Sequence, residues 1–154
     1  MVTLQAGMKA PEFEAKDSKG NIISLKNYAG KKVIIYFYPK DDTPGCTAEA
    51  CNIRDNYSEL IENGYAVIGV SADSVKSHEN FINKYELPFP LIPDVDKKII
   101  NAYGAWGEKQ NYGKTYEGIL RKTVIISEDG KIEKIIAKVN TKDHVAQICS
   151  EPEG

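Results

Sequence analysis

In DDTPGCTAEAC, residues 41–51, Cys46 and Cys51 stand five positions apart, and Thr43, Pro44 and Gly45 lead directly into the first of them. A thiolate is a far better nucleophile than a thiol, so the surroundings of each sulfur decide what it can do. Thr43 has the side chain of a helix N-cap, and Pro44 suits the first helical position, where a missing N–H costs nothing. Cys46 then falls in the first turn of a helix. Free backbone N–H groups and the positive end of the helix dipole favour an anion there, so the position suits attack on an electrophile.

Projected at about 100° per residue, Ala50, Ile53, Tyr57, Leu60 and Ile61 form one apolar stripe that includes Cys46, while Cys51 points away from it. Cys46 is therefore expected against a sheet beneath the helix start, with Cys51 on the outer side. In a regular helix their Cα atoms would lie roughly 8 to 9 Å apart. A disulfide needs about 4.4 to 6.8 Å, so the two sulfurs could bond only if the helix start unwound. From the residues alone two accounts stay open: small helix residues without a joint role, or a reactive thiol with a partner. The tighter Cys-x-x-Cys spacing of a disulfide oxidoreductase is absent.

The elements that would position these thiols are partly legible. Val33 to Tyr38 is a continuous apolar and aromatic run, expected as a strand covered on both faces and ended by Pro39. The pattern predicts one helix from about Thr43 to Asn63, a strand Ala66 to Ser71 and a helix from about Ser74 to Tyr85. An N-terminal hairpin is expected around Lys19-Gly20-Asn21, followed by a short helical turn or loop from Leu25 to Gly30. LPFPLIPD supplies a short extended piece, and Val95 to Tyr103 reads as helical. YGAWGEKQNYGKTYEGI is expected to be a loop. Arg121–Ser127 and Lys131–Val139 pair as a hairpin around Asp129-Gly130, and a helix from about Asp143 to Cys149 follows. Strands alternating with helices, then a hairpin, predict an α/β fold with a mixed sheet flanked by helices.

At 154 residues, 42% hydrophobic and 27% charged, the chain is expected to form one domain over residues 1–154. The net charge of −2 gives no footprint for nucleic acid, and no apolar run reaches the roughly 18 residues of a membrane span. No export signal is evident at the start, so a cytoplasmic location is expected. Three cysteines and two histidines, His78 and His144, show no metal-ligand spacing. Both histidines are expected to be capping or surface residues, and Trp106 to pack within the loop.

The segment PKDDTPGC carries proline, three residues, threonine, two residues and cysteine, as Pro39, Thr43 and Cys46. In this it resembles the peroxiredoxins, which share a thioredoxin-like fold. Cys51 in TPGCTAEAC makes it similar to the BCP or Q-type subgroup, whose resolving cysteine often lies five residues after the first. APEF, LPFPLIPD, YGAWGEK and GILRKTVIISEDGKI extend the likeness over most of the chain, and Arg121 occupies the place of the family's arginine. Lys122-Thr123-Val124 departs from the usual small residue, threonine and phenylalanine.

The resemblance implies a thiol peroxidase acting on hydrogen peroxide and organic hydroperoxides. Cys46 would become a sulfenic acid and then a disulfide with Cys51, recycled by thioredoxin or a similar dithiol. Arg121 would hold the thiolate, the Thr43 hydroxyl would meet the peroxide, and Pro39 would shield the sulfur from water. No metal or organic cofactor is implied. Cys149 is the reserve resolving candidate. An intramolecular partner makes a monomer the expectation. The alternatives are a thioredoxin-like disulfide oxidoreductase and a non-catalytic, redox-regulated binding domain.

Overall fold

The computed structural model describes residues 4–111 and 113–150. Strands β1 (Glu14–Lys16) and β2 (Ile22–Ser24) form the expected hairpin. Its turn is tied by the Asp17 carboxylate, which accepts from the backbone of Lys19 and Asn21 at 2.9 Å each. A 3-10 turn (Leu25–Tyr28) leads into β3 (Lys32–Phe37), α1 (Pro44–Asp55), α2 (Tyr57–Glu62), β4 (Tyr65–Ser71) and α3 (Val75–Tyr85). Then come β5 (Leu91–Pro93), α4 (Lys98–Ala102), β6 (Trp106–Asn111), β7 (Lys114–Ile119), β8 (Lys122–Ile126), β9 (Ile132–Ile136) and α5 (His144–Cys149).

The central sheet has the order β5-β4-β3-β8-β9. Strands β3, β4 and β5 run parallel, and β8 and β9 join antiparallel, so the sheet is mixed as expected. Side chains alternate across a strand, and this divides the interior in two. Val33, Ile35 and Phe37 pack with Tyr103, Ile99 and Ile100 from α4 and its C-terminal end, and with Ile23 of the N-terminal hairpin. Ile34, Tyr36 and Tyr38 pack with Cys46, Ala50, Ile53, Leu60, Phe81 and Ile148, on the side covered by α1, α2, α3 and α5. Burial on both faces explains why β3 reads as an unbroken apolar run.

Two expectations fail. The helix from Thr43 to Asn63 is two helices, because Asn56 (φ −112, ψ 13) leaves helical geometry and its side chain donates to the Asn52 carbonyl at 2.8 Å. The break shifts the phase of the stripe: Ile53 and Leu60 are buried, but Ile61 is exposed. The segment expected as a loop is the β6–β7 hairpin, with Gly113 at φ 76 in its turn. Lys114 to Glu117 are all exposed, so most of β7 has no buried face and shows no apolar alternation to read, and only Ile119 at its end reaches the core.

Candidate active site

Cys46, Glu49, Ala50 and Ile53 are the buried residues of α1, spaced i, i+3, i+4 and i+7 on the face that meets the sheet. Cys46 is 1% exposed, as its place in the stripe predicts. Arg121 arrives from the other half of the chain. Phe37 at the end of β3 pairs with Lys122 at the start of β8, so residue 121 lies beside the exit from β3. Its parity is that of Thr123 and Ile125, whose side chains face α1 and α5. The Arg121 Nη2 donates to Cys46 Sγ at 3.3 Å, and Nη1 donates to Glu49 Oε1 at 2.9 Å. Gly45 leaves the gap through which the guanidinium passes: a Cβ there would lie 3.2 Å from Arg121 Nη2.

Glu49 is fully buried, and burial pushes its carboxyl up to about 7, against the opposing pull of Arg121. Its Oε2 has no hydrogen-bond partner and faces His144 Nε2 at 3.4 Å. At neutral pH that contact is not an ion pair, because burial disfavours the charged ring. Gln147 Oε1 accepts from His144 Nδ1 at 2.9 Å and from the Asn140 N–H at 2.7 Å, so Nδ1 is the donor. Nε2 then accepts from the Thr123 hydroxyl at 2.7 Å. Burial holds this histidine below its usual range, the Gln147 hydrogen bond opposes, and Arg121 and Lys134 add to the lowering. Among the described residues Arg121 is therefore the one cation in hydrogen-bond contact with both the sulfur and the buried carboxyl. Burial works against the guanidinium charge, while Cys46 and Glu49 hold it above the ordinary range.

Thr43 occupies the N-cap position (φ −101, ψ 156), and its carbonyl accepts the first helical bond, from Thr47. Its hydroxyl does not cap the helix as expected; it donates to the Lys40 carbonyl at 2.9 Å, which leaves the oxygen lone pairs free to accept. Pro39 is half-buried just past β3. Cys51 is half-buried further along α1, and Cys149, the last residue of α5, is exposed with its thiol raised by partial burial and by Glu59. All three thiols are free. Lys109 of β6 donates to the Ile119 carbonyl at 2.9 Å; burial and Arg121 lower its ammonium while Cys46 opposes, so the hairpin brings a second cation into the field of the sulfur.

A second polar cluster sits beside the site. Asp41, Asp73 and His78 place carboxylate and imidazole atoms within 4.8 Å of one another, the kind of spacing a metal requires. Asp41 Oδ1, however, accepts from the Tyr38 hydroxyl at 2.6 Å, and Asp41 Oδ2 accepts from Ser77 Oγ and meets His78 Nδ1, each at 2.7 Å. Asp73 Oδ2 accepts from the Asp41 N–H at 2.8 Å and from the Ser71 hydroxyl at 2.7 Å. These oxygens are already engaged by the protein's own donors.

Pro39, Thr43, Cys46 and Arg121 thus converge on one end of the sheet, with Cys51 in the same helix as Cys46. The expectation for the histidines is wrong: His78 and His144 are both fully buried, held by partners from distant segments. Glu49 was not anticipated, although a signal existed, since a glutamate inside the apolar stripe three residues after Cys46 must find a cation or hold its proton.

The chain matches the AhpC/TSA family over residues 6–135. A putative peroxiredoxin bcp of Coxiella burnetii is 47% identical over 147 residues, covering 96% of this chain and 97% of that protein. Peroxiredoxin Bcp of Bacillus subtilis is 44% identical over 146 residues, covering 95% and 93%. Among solved structures, the bacterioferritin comigratory protein of Xanthomonas campestris, studied for alkyl peroxide reduction, superposes with a TM-score of 0.86 at 36% identity over 94% of each chain. A mutant of PrxQ from Xylella fastidiosa gives a TM-score of 0.89 at 28% identity, covering 96% of this chain and 94% of that one. With its thiol, guanidinium and sheet order in this arrangement, the chain belongs to the AhpC/TSA family and, within it, to the Bcp-type peroxiredoxins.

Proposed function

We propose that this chain is a thiol peroxidase that reduces hydrogen peroxide and organic hydroperoxides through Cys46, as a single-domain monomer. The observation that carries the reading is the 3.3 Å hydrogen bond from Arg121 Nη2 to Cys46 Sγ, a fixed cation on a buried sulfur at a helix N-terminus. The Cys46 thiolate attacks the terminal oxygen of the hydroperoxide; the S–O bond forms, the O–O bond breaks, and the leaving alkoxide or hydroxide takes a proton to depart as alcohol or water. The sulfur is oxidised by two electrons to sulfenic acid as the peroxide is reduced by two. The guanidinium stabilises the charge that passes to the departing oxygen. Thr43, whose oxygen is free to accept, orients the peroxide O–H, and Pro39 covers the sulfur without offering a competing N–H.

The Cys51 sulfur then attacks Cys46 sulfenic acid, water leaves, and a disulfide forms once the first turns of α1 have unwound. Thioredoxin or a similar dithiol returns both thiols. The test is peroxide consumption by the full chain with thioredoxin, thioredoxin reductase and NADPH, for hydrogen peroxide and an organic hydroperoxide. Cys46→Ser should abolish it, Cys51→Ser should stop after one oxidation, and Cys149→Ser should turn over normally. Undiminished consumption by Cys46→Ser sinks the proposal. Normal turnover by Cys51→Ser with loss in Cys149→Ser would transfer the resolving role to Cys149. Reduction of insulin disulfides without peroxide consumption would mark a disulfide oxidoreductase. Slow, unselective alkylation of Cys46 with neither activity would mark a binding domain.

A further inference from the structure

We infer that Asp41, fastened by Ser77 and His78 of α3, is the anchor that keeps the Cys46 segment in its peroxide-reactive form and sets how long a Cys46 sulfenic acid waits for Cys51. The inference rests on the peroxidase reading above and adds positioning residues to it. Asp41 lies five residues before Cys46, in the connection from β3 to α1. Its side chain is 3% exposed and that of His78 is 0% exposed. The carboxylate is engaged by Tyr38, Ser77 and His78, and the backbone N–H of the same residue donates to Asp73. His78 Nε2 faces the Ile92 carbonyl at 3.1 Å; a carbonyl only accepts, so Nε2 carries a hydrogen and the ring is pinned to β5 on one side and to Asp41 on the other.

Immediately after this anchor the backbone changes character. Asp42 adopts φ 56, a left-handed conformation that costs a residue with a Cβ. It is held there from the surface of α3, by Lys84 Nζ at 2.8 Å and the Tyr85 hydroxyl at 2.7 Å. When the start of α1 unwinds to let Cys51 in, the chain pivots at Asp41 and Asp42, which give up their bonds to α3, and Asp42 relaxes as it is released. Bonds that hold Asp41 and Asp42 to α3 oppose that pivot. They keep Thr43 and Pro39 in place over the sulfur for the first step, and they slow the second. A tight anchor favours rapid oxidation of Cys46 and lengthens the life of the sulfenic acid, exposing it to a second peroxide and so to sulfinic acid.

The test uses the full chain with Ser77→Ala, which removes one donor without opening the core, with Asp41→Asn as the stronger variant and Ser77→Thr as the conservative one. In the reduced protein, Ser77→Ala should raise amide hydrogen exchange across residues 42–50 by about tenfold, the scale of one hydrogen bond to a charged group, without raising it in α3. After one equivalent of hydrogen peroxide, disulfide formation should accelerate by a similar factor, the first step should slow, and the sulfinic fraction of Cys46 under excess peroxide should fall on intact mass. Ser77→Thr should restore the wild-type values. Unchanged exchange over 42–50, two steps altered in the same direction, or a threonine variant that behaves like alanine would each overturn the inference. Exchange is read without peroxide, so it judges the anchor even for a protein that consumes none, in which case the peroxidase reading alone has failed.

Discussion

Glu49 makes the dependence of stability on pH a test of the site. Burial raises its carboxyl from the ordinary value of 4.5 to about 7. The folded protein therefore binds a proton that the unfolded chain releases, and between those two values stability falls as pH rises, by about 1.4 kcal/mol per pH unit. The contribution is fully present below pH 4.5 and lost as pH passes 7, amounting to about 2 to 3 kcal/mol between pH 5 and pH 8. His144 acts with the opposite sign, because a buried histidine lowered in the fold loses stability as pH falls below 6.5, so the wild-type curve alone mixes the two. Glu49→Gln separates them. The amide oxygen can accept from Arg121 as the carboxylate oxygen does, while His144 remains in both proteins. Urea unfolding of wild type and variant from pH 5 to pH 8 should show the difference between them moving by about 2 to 3 kcal/mol in favour of the glutamine protein as pH rises. Parallel curves would refute the assignment of a strained, proton-binding carboxyl behind Arg121.

Arg121→Gln should slow peroxide oxidation of Cys46 by about 10² to 10³, the scale of removing one charge-stabilising donor from a transition state, as read by stopped-flow. The same variant leaves Glu49 without its cation, so the midpoint of the pH-dependent loss of stability should move above 7. Gly45→Ala should part activity from stability: the added Cβ displaces a guanidinium atom 3.2 Å away and slows the peroxide step, whereas a helix gains up to about 1 kcal/mol from alanine in thermal or urea unfolding. Gly69→Ala in β4 should instead destabilise by about 1 to 3 kcal/mol in urea unfolding, since its Cβ would meet Leu91 Cδ2 at 2.5 Å and the Tyr36 ring at 3.0 Å.

What the sequence disclosed follows from how local each determinant is. The apolar run of β3, the Thr-Pro approach to α1, Asp129-Gly130 between β8 and β9, and Ser74 capping α3 through the Ser77 N–H are all written within a few residues. The β6–β7 ribbon is held by backbone pairing with its β7 strand largely exposed, so composition carries no trace of it. The histidines failed for a related reason. His78 is buried because Asp41, 37 residues earlier, and the carbonyl of Ile92, 14 residues later, satisfy its ring. No pattern in α3 announces that. Arg121 and Cys46 are 75 residues apart and meet through the pairing of β3 with β8, so family resemblance found a contact that local reading could not.

The pairing of Phe37 with Lys122 has a practical corollary. Sliding β8 by one residue along its neighbour would swing the guanidinium to the opposite face, away from the thiol, while helix and strand content barely changed. Refolded preparations could thus look native by circular dichroism yet contain inert molecules. A burst of one peroxide equivalent per chain would count the molecules whose strands had aligned correctly.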